Sequence, residues 1–107
     1  MPQAESSQEE HPFWRVKHGD DVVGYLYPRG ADQPWVMCRF EPADAWTDLQ
    51  SLFAAQEEAR RLRFPPDKVW AVKAIKDLDL NLERVDDGTV TKPTLLYIEG
   101  TKAQFRA

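Results

Sequence analysis

The stretch VVGYLYPRGADQPWVMCRFE, residues 22–41, decides how this chain folds. Its two ends, 22–27 and 35–41, are rich in β-branched and aromatic side chains, the composition of strands. Between them lie seven residues, 28–34, with proline at each end and an aromatic on either side. A strand-to-strand turn normally needs about two to five residues. The stretch therefore reads as two strands joined by a long loop, flanked by Tyr27 and Trp35. Side chains alternate across a strand, so Val36, Cys38 and Phe40 share one face and Trp35, Met37 and Arg39 the other. The first set is uniformly apolar and is assigned to the core.

Toward the N-terminus, FWRVKH (13–18) alternates, with Trp14, Val16 and His18 on one face. GDD (19–21) is turn chemistry, so these residues form a hairpin with 22–27. Residues 1–11 are Gln-, Ser- and Glu-rich with too little apolar surface to offset ordering entropy, and read as a disordered tail ahead of a single domain at 12–107.

Toward the C-terminus, ADAWTDLQSLFAAQEEARRLRF (43–64) carries a helical apolar stripe through Leu49, Leu52, Ala59 and Leu62. Asp44 is a candidate N-cap, Thr47 with Gln50 a competing capping box, and Pro65–Pro66 a stop. DKVWAVKAIK (67–76) fits either period; the preceding prolines and Asp67 at its start favour a second helix. LDLNLERV (78–85) alternates as a half-exposed strand, DDG (86–88) turns, and 94–99 with 102–106 makes a closing hairpin. The expected fold is α+β: an antiparallel sheet in βββ-αα-βββ order with the helix pair packed on one face.

The bulk numbers narrow the function classes. The formal net charge is −4, and three of the acidic residues, Glu5, Glu9 and Glu10, sit in the tail, leaving the remainder near −1. A nearly neutral body argues against nucleic acid or anionic membrane as partner. A nucleic-acid reading rests only on Arg61, Arg63 and the tryptophans. There is one cysteine, no apolar run of membrane-spanning length, and no basic-then-apolar opening, so the cytoplasm is the expected compartment.

No cluster carries chemistry strongly. HGDD (18–21) groups a histidine with two carboxylates, but adjacent turn residues diverge rather than converge on a metal. Cys38 with His18 as base is a conceivable nucleophile pair, yet Cys38 lies mid-strand between Val36 and Phe40 and reads as an inert core thiol. Arg60, Arg61 and Arg63 suit the last turn of a helix, with Glu57 placed to pair with Arg61. Phosphate loops and nucleophile elbows are absent, so neither an enzyme nor a cofactor is expected.

The aromatic content is the unusual feature: four tryptophans in 107 residues, of which the core can absorb Trp14, Trp46 and Trp70. Trp35 lies opposite the assigned core. Together with Tyr25, Tyr27 and Met37, and with Arg29 and Asp32 at the rim, it would form an aromatic patch unless the tail or the last hairpin covers it. The leading expectation is a non-enzymatic module that binds a protein partner or a second copy of itself through this face or an open sheet edge. The alternative is a site for a small anionic ligand between sheet and helices. It would be lined by aromatics and marked by Gln56 and Arg60, which share a helix face with Leu49 and Phe53.

Overall fold

The computed structural model describes residues 11–106; the disordered stretch expected at 1–11 lies, except for His11, outside the described residues. The strands are β1 (Trp14–His18), β2 (Asp21–Asp32), β3 (Trp35–Pro42), β4 (Asn81–Arg84), β5 (Val90–Thr91), β6 (Leu95–Glu99) and β7 (Lys102–Arg106). The helices α1 (Trp46–Arg61) and α2 (Trp70–Asp77) fall between β3 and β4. All seven strands join one antiparallel sheet in the order β5-β4-β1-β2-β3-β7-β6. The α+β order of three strands, two helices and a second strand block is therefore the one the sequence predicts, with the two-residue β5 as an addition.

The two strand blocks merge because their apolar faces are continuous. Val16 of β1 stands opposite Leu82 of β4, and Cys38 of β3 opposite Ala103 of β7. Leu49 and Phe53 of α1 and Ile75 of α2 pack onto this same face with Val16, Leu26, Phe40, Leu82, Ile98 and Phe105. Trp14 stacks edge-on against Phe105 at 4.9 Å, and Trp46 bridges Phe40 (4.8 Å) and Phe53 (5.3 Å).

Within that core, Gly24 has a specific role. A Cβ there would run into the ring of Phe40 and stand 2.7 Å from the carbonyl oxygen of Glu41. Only glycine lets the fully buried Phe40 ring lie across β2.

Several boundaries differ from the sequence reading, each for a local reason. The seven-residue loop expected at 28–34 is mostly strand: β2 continues to Asp32, which pairs with Trp35, and the turn is Gln33–Pro34 alone, joined by a cis peptide. A bulge at Arg29 makes this possible, since the register slips between Pro28↔Cys38 and Gly30↔Met37. Bulges accommodate a residue with no N–H to donate.

Neither Asp44 nor Thr47 caps α1; its N-cap is Ala45 without a side-chain hydrogen bond. The helix is instead launched by backbone bonds, Ala43 N donating to Val23 O at 2.9 Å and Trp46 N to Ala43 O at 3.0 Å. It ends at Arg61, before the prolines, because Arg63 and Phe64 take left-handed φ values of 64° and 57° while Phe64 N donates to Ala59 O at 2.7 Å. The second helix begins at Trp70, not at 67. Leu78 caps α2 and Asp79 turns the chain at φ 57°, so the strand expected over 78–85 is confined to Asn81–Arg84.

Trp70 is 57 % exposed rather than core. It joins Leu62, Phe64 and Val69, also exposed, around the α1–α2 connection. Among the described residues no helix is long and apolar enough to cross a membrane.

Candidate functional site

Cross-strand register places Tyr25, Tyr27, Trp35, Met37 and Arg39 on the sheet face opposite the helices, and the last hairpin extends that face with Gln104 and Tyr97. The face is less open than an exposed aromatic patch. Trp35 is half-buried, its ring 5.6 Å from that of Tyr97. Tyr25 and Met37 are half-buried as well. Tyr27 is buried, lying 4.0 Å beneath the Arg39 guanidinium and donating its hydroxyl to Glu41 Oε1 at 2.8 Å. Burial raises the Tyr27 pKa and the Glu41 carboxylate adds to the rise, with Arg39 opposing. Arg29 and Asp32 stay exposed near the hairpin tip.

The chemical candidates on the strands do not assemble. His18 pairs with Asp21 to close the first hairpin, and Gly19 supplies its φ of 62°. Cys38 stands opposite Pro28, seven residues further along β2, which is about 23 Å at strand rise and far beyond a base's reach. Burial pushes the Cys38 thiol up to about 12, with Arg29 pulling weakly the other way. A thiol so shifted is not a nucleophile at neutral pH. Among the described residues no three His, Cys, Asp or Glu side chains gather as a metal ion requires.

A cleft of about 540 Å³ lies between α2, the turn after it and the segment leading into β6. Helical spacing supplies one wall, with Val72, Ile75 and Lys76 at three- and four-residue intervals on one face of α2, and Asp79 joins them from the turn that follows. Leu80, Pro93, Leu95 and Leu96 complete an aliphatic lining, without the aromatics the sequence suggested. At the mouth, Lys92 Nζ donates to Asp79 Oδ1 (2.6 Å) and Asn81 Oδ1 (3.1 Å). Lys76 is exposed and has no carboxylate partner among the described residues.

Gln56 of α1 also lines this cleft. Its side chain is only 2 % exposed, yet Oε1 has no hydrogen-bond partner. A buried acceptor left unpaired costs about 1–3 kcal/mol. Arg60, paired with Gln56 in the sequence reading, is elsewhere. It stacks 4.5 Å over the Tyr97 ring, pairs with the buried Glu57 at 3.3 Å, and lines a separate groove of about 180 Å³ with Met37 and Gln104. The ion pair expected between Glu57 and Arg61 is thus made with Arg60.

The two residues diverge because α1 packs along the edge strand β6. Gln56 shares the cleft with Leu96, Arg60 covers Tyr97, and consecutive strand residues point to opposite faces. Periodicity located Gln56, but Lys76 and Lys92 carried no signal. Their site is assembled by a turn at Asp79 and a two-residue strand, neither of which a hydrophobic pattern reveals. Comparison of the chain with family models, with curated proteins and with solved structures finds no match to any of them.

Proposed function

We propose that this protein is a small-molecule-binding domain whose site is the cleft between α1, α2 and the segment entering β6. One observation carries the reading: a glutamine amide almost wholly removed from solvent, with an unpaired acceptor, in the wall of a concavity of ligand-sized volume. A packed core that needed no ligand would place an apolar side chain at that position, as it does at Leu49 and Phe53 on the same helix face. A fragment screen by protein-observed NMR tests the proposal. Shifts should cluster on Gln56, Val72, Ile75 and Leu96. Hits confined to the outer sheet face, or none at all, would overturn it.

A second reading, self-association through the outer sheet face, is favoured by a different observation. Apart from Arg60 and Glu57 of α1, which reach over it at Tyr97, that face is covered by no described element, and it carries Trp35, Met37 and Tyr25 half-exposed. Its charges are mixed and therefore able to face themselves, with Glu41, Glu99 and Lys102 at one end and Arg106 beside Trp35 at the other. Light scattering behind size-exclusion chromatography tests it: a dimer in the native chain should become a monomer in Trp35→Ala.

A further inference from the structure

The exposed apolar surface of this protein is concentrated in one short stretch. Among the described residues six large apolar side chains are exposed, and four of them, Leu62, Phe64, Val69 and Trp70, lie within residues 62–70, where α1 passes into α2. Apolar side chains scattered singly over a surface need no partner, whereas a cluster of them marks an interaction surface. The ion pair between Lys68 Nζ and Glu58 Oε2, 3.1 Å long, folds the connection back along α1 and keeps the four together.

The backbone holds this cluster outward under strain. Arg63 and Phe64 both take left-handed φ values, 64° and 57°, with Phe64 N donating to Ala59 O at 2.7 Å. A helix ends in this conformation most easily on glycine, which adopts it without steric cost. Here the two positions carry a guanidinium and an aromatic ring instead, both exposed.

The surrounding charge is positive. Residues 57–77 carry six basic and four acidic side chains in a chain whose net charge is −4. Three of the four carboxylates are engaged locally, Glu57 by Arg60, Glu58 by Lys68 and Asp77 by Lys73. Arg61 and Arg63, which suited pairing with Glu57 and Glu58, therefore have no ion-pair partner among the described residues, and only Asp67 shares their connection.

We propose that the α1–α2 connection docks an acidic amphipathic peptide segment of a protein partner, its apolar side chains covering Phe64, Val69 and Trp70 and its carboxylates meeting Arg61 and Arg63. Trp and Arg are the side chains that most often dominate such contacts. A second copy of this chain would set these arginines against their own images in a twofold contact. An anionic bilayer or a nucleic acid is disfavoured by the net charge of −4, since both attract through the charge of a broad surface. The proposal is independent of the cleft, because α2 turns Ala71 and Ile75 inward and leaves Trp70 in solvent.

Panning a random-peptide display library on the full chain, with counter-selection on Trp70→Ala, tests it. Enriched peptides should combine aromatic or aliphatic residues with Asp or Glu, and should shift the amides of Leu62, Phe64, Val69 and Trp70 in an NMR titration. Trp70→Ala, at an exposed position, should weaken a selected peptide about twentyfold or more. Arg61→Gln with Arg63→Gln should weaken it about fivefold, and so should replacing the peptide's carboxylates by amides. Matched thermal midpoints of the variants and the native chain would assign these losses to the surface. No Trp70-dependent enrichment would overturn the proposal, as would selected peptides indifferent to the arginines. It would equally fall if the patch instead bound phosphatidylserine vesicles or oligothymidylate, or if sedimentation showed a dimer that Trp70→Ala dissolves.

Discussion

Replacing Gly24 with alanine tests the packing at the centre of the fold. The added methyl would collide with the Phe40 ring and lie 2.7 Å from Glu41 O. The ring is 1 % exposed and held between Gly24 and Trp46, whose own ring is 4.8 Å away, so it has no empty volume to retreat into. The carbonyl belongs to the paired backbone of β3 and moves only with the ladder. Overpacking a tight core costs about 1–3 kcal/mol, and a clash that includes backbone belongs at the upper end, about 2–3 kcal/mol. For a domain of this size that lowers the thermal midpoint by about 10–20 °C. Urea denaturation followed by tryptophan fluorescence reads the change directly, with Trp46 as a local reporter of Phe40. A second variant, Gly24→Ala with Phe40→Leu, should recover the part due to the ring and not the part due to the carbonyl. A loss below about 0.5 kcal/mol in Gly24→Ala, the range of surface substitutions, would refute the reasoning.

Other outcomes follow from the same geometry. Gln56→Leu should leave stability unchanged or raise it by about 1 kcal/mol, because it removes a buried acceptor without a partner; a fall of more than about 1 kcal/mol in a urea melt would mean the amide is satisfied in the native state. Cys38 should resist alkylation in the folded protein at pH 8 and react readily in urea, as mass spectrometry would show. Its pKa lies near 12 when folded against an ordinary 9.0, so the native state holds the proton where the unfolded chain loses it. Stability from this group is full below pH 9.0 and falls as pH rises toward about 12, by about 1.4 kcal/mol per pH unit; Cys38→Ala should flatten that alkaline slope. Phe53→Ala, at a fully buried position between both helices and the sheet, should cost about 3–5 kcal/mol and is the largest single loss expected here.

How much of this was legible in the sequence depends on the range of the interaction that decides each feature. Alternation within β3 assigned Val36, Cys38 and Phe40 to the core, because a period of two fixes faces locally; Cys38 and Phe40 are buried there and Val36 packs against them half-buried. The first helix was legible from spacing, whereas the second fits either period and was favoured only by the prolines and Asp67 ahead of it. Continuation of β2 through Pro28 and Gly30 was not legible, since it depends on a bulge that only pairing with β3 creates. The same holds for Leu78 and Leu80, whose alternation with Asp79 matches a strand while Asp79 in fact turns the chain out of α2. Trp70 shows the limit of composition: aromatic character suggested burial, but α2 turns Ala71 and Ile75 inward and leaves Trp70 in solvent. At the cleft, Gln56 stood out as a polar residue in an apolar stripe. Its partners come from three separate segments, and nothing in one strand of text brings Lys76 beside Leu96.

The edges of the sheet bear on how this protein meets others. A seven-stranded sheet has two open flanks, and unpaired backbone on such flanks is what templates strand invasion and aggregation. Here one flank, β6, has α1 packed along it, and the other, β5, offers two residues before Pro93 interrupts further pairing. Along these two flanks little main chain is left for a foreign strand to dock on, while β2 beyond Leu26 has no described strand on its β1 side. With both outer flanks occupied, the chain should stay dispersed at concentrations where an unguarded sheet of this width would form fibrils, and the overhanging end of β2 is the place where strand invasion should begin if it occurs.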